Sequence, residues 1–160
     1  MAELLSSKAH FVKGKDPIAD AFTGTVYSDV ICIKNWRKIT FVIMTGAVAT
    51  GGVGTTTITV VATEAASPLT YTAIPFKYRA ITSGDTVGAL TAATAAAGFT
   101  TTAGASQLYL IEVNCEELAG LGMNWIAMKG VEVADSPIIA GILGILTEPR
   151  YAVDTDTVIA

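Results

Sequence analysis

A chain of 160 residues is of one-domain length and long enough to bury a core without disulfides or metals. Its net charge of −4, from ten basic and fourteen acidic side chains, excludes a general nucleic-acid binder, which needs a basic stripe. Apolar residues make up 51% and charged residues only 15%, well under the roughly 25% of an average globular chain, so either a membrane or a partner must cover apolar surface. The longest apolar run, Ile138 to Leu146, is far shorter than the roughly 20 residues a membrane helix needs. The opening "MAELLSSKAH" lacks the apolar stretch and cleavage pattern of a signal peptide. The expectation is therefore a soluble, intracellular protein, with no membrane partner, that hides apolar surface against other proteins.

In chain order, residues 1–24 show little β periodicity and contain Gly14, Pro17 and Gly24, which reads as an extended N-terminal arm with one helical turn near Met1 to Ser6. Residues 25–147 carry strand punctuation, and residues 148–160 read as a polar C-terminal tail ordered by contact. The expected strands are Thr25–Ile33, Lys38–Thr45, Thr55–Thr63, Leu69–Ile74, Phe76–Ile81 beyond Pro75, Gln107–Val113, Trp125–Val133 and Ile138–Leu146. Between the first two, the basic cluster from Lys34 to Lys38 reads as a solvated hairpin turn in preference to a docking patch.

The stretch "TGAVATGGVGTTTIT" (45–59) invites a phosphate-loop reading. A phosphate loop needs a helix after its glycines, whereas here a β-branched strand follows and no Lys-Ser or Lys-Thr is present. It reads as a hairpin tip. The uncharged segment "GALTAATAAAGFTTTAGAS" (88–106) is long for a loop and suits packing on a neighbouring subunit. In "NCEELAGLG", Asn114 is the expected cap of a short connector helix, with Glu117 at its third position and Gly120 or Gly122 ending it. The fold class is mainly β: an antiparallel β-sandwich or barrel-like domain with an arm and a connector helix.

Alternation along the strands carries a further expectation. In Lys38–Thr45 one face holds Ile39, Phe41 and Ile43 and the other Thr40, Val42 and Met44; the last strand is apolar on both faces. A solvated outer face should be polar at every second position. A second buried surface is expected, most simply an oligomer interface, with extra core layers as the alternative.

Chemistry is sparse. The one histidine, His10, has no carboxylate or nucleophile at a telling distance, so no Ser-His-Asp or Cys-His apparatus is expected. No HExxH, EF-hand or CxxC pattern exists, and the Asp154/Asp156 pair reads as solvated. Cys32 and Cys115 read as free thiols, with a disulfide as the alternative. No catalytic, metal or cofactor residues are expected, and the chain is not expected to be an enzyme.

Three stretches, "MAELLSSKAHFVKGKDPIADAFTGTVYSD", "FKYRAITSGDTVGALTAATAAAGFTTTAGASQLYLIEVNCEEL" and "VEVADSPIIAGILGILTEPRYA", resemble small accessory head proteins of tailed bacteriophages, which decorate or cement the shell. The resemblance lies in overall texture and carries over no residue roles. It implies a β-rich, non-catalytic virion protein on the capsid surface, made in the host cytoplasm, with the major capsid protein as partner and a dimeric or trimeric state. A neck, tail or fibre protein shares this texture, and a ligand-binding β-sandwich is the other alternative. Aromatics and arginine anchor interfaces, so the expected contact residues are Phe11 and Val12 in the arm, Trp36 and Arg37 at the basic turn, and Tyr151 in the tail.

Overall fold

The computed structural model describes residues 5–48, 54–67, 70–134 and 137–151. After a single 3-10 turn at Leu5–Ser7 come β1 (Ala9–Ile18), β2 (Thr25–Tyr27), β3 (Ile31–Cys32), β4 (Trp36–Val48) and β5 (Thr55–Thr63). There follow β6 (Thr72–Ile74), β7 (Phe76–Ile81), β8 (Thr91–Ala93), β9 (Phe99–Thr100) and β10 (Leu108–Asn114). The helix α1 (Cys115–Gly120) leads into β11 (Trp125–Ala134) and β12 (Ile138–Pro149). Two antiparallel sheets face each other without closing into a barrel. Sheet A has the order β1-β12-β4-β10-β7-β8; sheet B has β2-β11-β5-β6, with β3 also on β11 and β9 also on β5.

The core lies between them. Ile39, Phe41 and Ile43 of β4 point inward with Tyr109 and Ile111 of β10, and meet Ile58, Val60, Ile126 and Met128 of sheet B. All of these are fully or almost fully buried. The alternation expected for β4 is thus present, and so is the two-faced apolar character of β12, whose Ile138, Ala140, Ile142 and Leu146 face in while Ile139 and Leu143 face out.

Several local expectations differ from the structure. Within the arm, residues 9–18 are laid down as edge strand β1 against β12, from Ala9 opposite Thr147 to Ile18 opposite Ala140. Gly14 and Pro17 read as breakers, yet an edge strand tolerates both, and the ladder absorbs them through register shifts between Lys13 and Ile18. The expected strand Thr25–Ile33 is split because the Asp29 amide leaves the ladder and donates to Gly14 O at 2.7 Å. The helical turn expected at Met1 to Ser6 lies mostly outside the described residues, as does Leu69.

The largest difference is in connectivity. β4 belongs to sheet A and β5 to sheet B, so the Gly/Thr-rich stretch joins two sheets and is not a hairpin tip. The basic turn likewise runs from β3 in sheet B to β4 in sheet A, closed by Trp36 N donating to Ile33 O at 3.0 Å. Between β6 and β7 a single residue, Pro75, carries the chain from one sheet to the other. Proline has no amide to give a ladder, and a strand is free to change sheets there.

The segment 88–106 packs within its own chain. It forms β8 on β7, then crosses to β9 on β5, and so closes one end of the sandwich. Phe99 stacks on Tyr78 with centroids 4.1 Å apart and meets Tyr109 at 5.5 Å. The Tyr109 hydroxyl accepts from Thr102 N at 2.9 Å and donates to Gln107 Oε1, while Gln107 N donates to Thr45 Oγ1. A satisfied buried network of this kind fixes one arrangement of a segment whose small side chains specify little.

The connector helix forms as expected: the Asn114 side chain accepts from Glu116 N at 3.1 Å, and Glu116 and Glu117 occupy the first turn. Asn114→Ala should cost about 1 kcal/mol, read as a fall in Tm of roughly 3 °C in a thermal melt.

Candidate docking face

Cross-strand register gives the outer face of sheet A row by row. One row runs Phe11, Ile145, Thr40, Glu112, Lys77; the next Lys13, Leu143, Val42, Leu110, Arg79; a third Gly141, Met44, Leu108, Ile81. The middle of this face is apolar. Met44 is 64% exposed, Phe11 43%, Ile139 42% and Leu143 38%. Scattered exposed apolar residues are ordinary, but a contiguous set on one sheet face marks an interaction surface.

Charges ring this face. Lys13 pairs with Asp16 at 3.0 Å, Lys38 with Glu148, and Arg79 with Glu112 at 4.0 Å. Lys15 and Lys77 have no ion pair among the described residues. On the β1 side a trough of about 440 Å³ lies beside Gly141, walled by Lys13, Lys15 and Pro17 on one flank and by Val42 and Met44 on the other. Ile139 and Leu143 stand at its ends.

The outer face of sheet B is different. There β5 presents Thr55, Thr57, Thr59 and Thr63, and Tyr27 stacks on Tyr71 with centroids 4.8 Å apart, with Lys129 Nζ 6.0 Å from the Tyr27 ring. Burial raises the Tyr71 hydroxyl pKa above its ordinary value, and Tyr27 adds to the shift. Val61 interrupts these hydroxyls, and β11 sets Trp125, Ala127, Lys129 and Val131 opposite them, so this face mixes hydroxyl and apolar positions.

The five residues expected at contacts are dispersed. Phe11 lies on the apolar face of sheet A. Val12 points the opposite way and is 2% exposed, as strand alternation requires. Trp36 is 3% exposed; its ring packs in the core, 6.1 Å from His10, and its carbonyl accepts from Arg150 Nε. Arg37 is exposed and 3.4 Å from Glu116, and Tyr151 is exposed just past β12. The outward residues of β10 and β12 were not singled out from sequence; their signal was the unbroken apolar run of β12 and the alternation of Leu108 and Leu110.

Other sites hold less. Among the described residues no group of three or more His, Cys, Asp or Glu side chains is placed to hold a metal, and no helix is long and apolar enough to cross a membrane. A second cleft of about 480 Å³ mixes charged residues, Lys38, Lys77, Glu112 and Glu117, with apolar ones such as Phe76 and Leu90. Cys32 and Cys115 are both free thiols. Burial pushes the Cys115 thiol up to about 12, against the smaller opposing effects of Arg150 and of a backbone hydrogen bond at Ile39. Burial also raises the Tyr109 hydroxyl, against hydrogen bonding from Thr102.

Folding keeps the Cys115 proton, so the unfolded chain, with its thiol near 9, releases it first. Stability from this residue is fully present below pH 9 and falls as pH rises towards 12. Unfolding free energies from urea titrations between pH 9 and 10.5 should fall by an extra amount of about 1 kcal/mol per pH unit, and Cys115→Ala should flatten that slope.

Comparison with protein-family models, with curated proteins and with solved structures returned no match in any of the three.

Proposed function

We propose that this chain is a structural, non-catalytic virion protein that binds the outside of a tailed-phage capsid and stabilises contacts between capsomers. In this reading the major capsid protein is its partner, it acts as a homo-oligomer, and it passes from the host cytoplasm to the capsid surface. The observation that carries the reading is the contiguous apolar outer face of sheet A, with Met44, Phe11, Ile139 and Leu143 all exposed on it. The sequence resemblance supplies the identity of the shell.

Magnitudes fit a lattice role. With strands about 4.8 Å apart and a rise of about 3.3 Å per residue, four strands by six residues cover roughly 400 Å². A stable one-to-one interface takes about 800 Å² per partner, so a single contact through this face is weak. Repetition over a shell raises the effective concentration and adds weak contacts together.

The test is co-sedimentation of the purified chain with expanded and unexpanded capsids, and with isolated necks and tails, followed by heating of the decorated shells. Saturable binding to capsids with slower loss of packaged DNA is the expected result. Binding to necks or tails alone would reassign it to those structures, and binding to no particle would overturn the virion reading. A ligand-binding sandwich is favoured by one observation, the Tyr27–Tyr71 stack beside Lys129. Saturable binding of an oligosaccharide, lost in Tyr27→Ala, would establish that reading instead.

A further inference from the structure

The trough over Gly141 fits an extended peptide, and the chain's own sequence contains one of matching chemistry. We propose that residues 152–160, "AVDTDTVIA", of a second copy occupy this trough and link one molecule to the next. The proposal does not rest on capsid binding.

Charge complementarity is the first support. Asp154 and Asp156 are two residues apart, and so are Lys13 and Lys15 on the trough wall. On extended backbone the two acids are separated by about 6.6 Å; the two lysines flank the register shift at Gly14 and both line the trough wall, so both acids can face both lysines at once. Lys15 has no ion pair among the described residues, and the Lys13–Asp16 pair is about two-thirds exposed, hence weak and exchangeable. The apolar residues flanking the acids, Val153 on one side and Val158 with Ile159 on the other, suit walls built by Val42, Met44, Ile139 and Leu143.

Reach decides which copy supplies the segment. The described chain ends at Tyr151, whereas Lys13 lies opposite Leu143 on β12. The eight residues between Leu143 and Tyr151 carry the chain roughly 26 Å away from the lysines along the strand direction. Doubling back, Asp154 lies at most about 10 Å beyond Tyr151 and Asp156 about 17 Å, at roughly 3.3 Å per residue. A molecule's own Asp154 stops about 16 Å short of its own lysines, beyond side-chain reach, so both acids can pair with both lysines only when the segment comes from a neighbour. Donation from one copy to the next in this way is a head-to-tail contact, which closes into a ring or continues as a chain.

The experiment uses two charge-reversed full-length variants, Lys13→Glu/Lys15→Glu and Asp154→Lys/Asp156→Lys, with mass in solution measured by light scattering. The original chain should associate, each variant alone should associate at least tenfold more weakly, and an equimolar mixture of the two should recover association. The mixture restores two correctly charged pairings, the reversed trough with the reversed tail and the original trough with the original tail, which no loss of folding can imitate. A labelled AVDTDTVIA peptide should bind the original chain and compete with association. An original chain that stays monomeric at millimolar concentration, variants that associate as the original does, or a mixture that recovers nothing would each overturn the proposal.

Discussion

Phe11→Asp is expected to weaken shell binding by more than a hundredfold while leaving the folded domain intact. Phe11 lies on the outer face of sheet A opposite Ile145, 43% exposed, so the free protein loses little packing. In the proposed assembly the same position would be covered. Covering the exposed 43% of Phe11 is worth about 1 kcal/mol, and placing a carboxylate against apolar surface adds a desolvation penalty of a few kcal/mol. Together these exceed the roughly 2.8 kcal/mol that corresponds to a hundredfold. Phe11 does not line the trough over Gly141, so copy-to-copy association should persist in this variant. Two other positions supply the contrast. Val12→Asp reverses the pattern, because Val12 faces the core and a buried unpaired carboxylate unfolds the domain. Thr59→Asp on sheet B should alter neither folding nor binding. Retained binding in Phe11→Asp together with its loss in Thr59→Asp would move the docking surface to the other sheet.

How much of this was legible beforehand depends on the range of the signal. Thr55–Thr63 and Phe76–Ile81 are β5 and β7 to the residue, and β11 and β12 differ from expectation only in their ends, because β-branched alternation is a local property. The Asn114 cap was equally local. Connectivity was not. Eight of the eleven links between the described strands pass between sheets, and a sequence shows where a strand stops without showing which sheet receives the next one. That is why the Gly/Thr stretch and the basic turn looked like hairpins. β1 was hidden for a different reason: an edge strand tolerates glycine and proline that would disqualify a central one. The docking face was half legible. Outward apolar positions in β4 and β12 announced a second surface, but only the register places Phe11, Leu143, Val42 and Leu110 side by side. Trp36 misled because an indole is as useful in a core as at an interface.

Gly98→Ala tests the crossing that closes the sandwich, and it should be the most damaging single-methyl change in the chain. Gly98 has φ of +58°, and a Cβ there would stand 2.0 Å from Ile58 O and 2.7 Å from Thr59 Cγ2. The first contact is with the backbone of β5, which is held by β11 on one side, so it cannot yield as a flexible side chain would. Gly24→Ala isolates the backbone term, since Gly24 has φ of +65° with nothing within 4 Å of its would-be Cβ. That control should cost about 1–2 kcal/mol. Gly98→Ala adds steric overlap worth about 1–3 kcal/mol or more, and a total near 4 kcal/mol corresponds to a fall in Tm of roughly 12 °C. The damage should be local in origin: β9 leaves β5, Phe99 loses its stack on Tyr78, and amides near Thr56 and Thr101, paired through Thr101 N to Thr56 O, exchange with solvent first. Equal melting of the two alanine variants would show that β5 gives way to the methyl group, and that the segment from Gly88 to Ser106 is held by its aromatic cluster and the Gln107–Tyr109 network, with no need for close approach at Gly98.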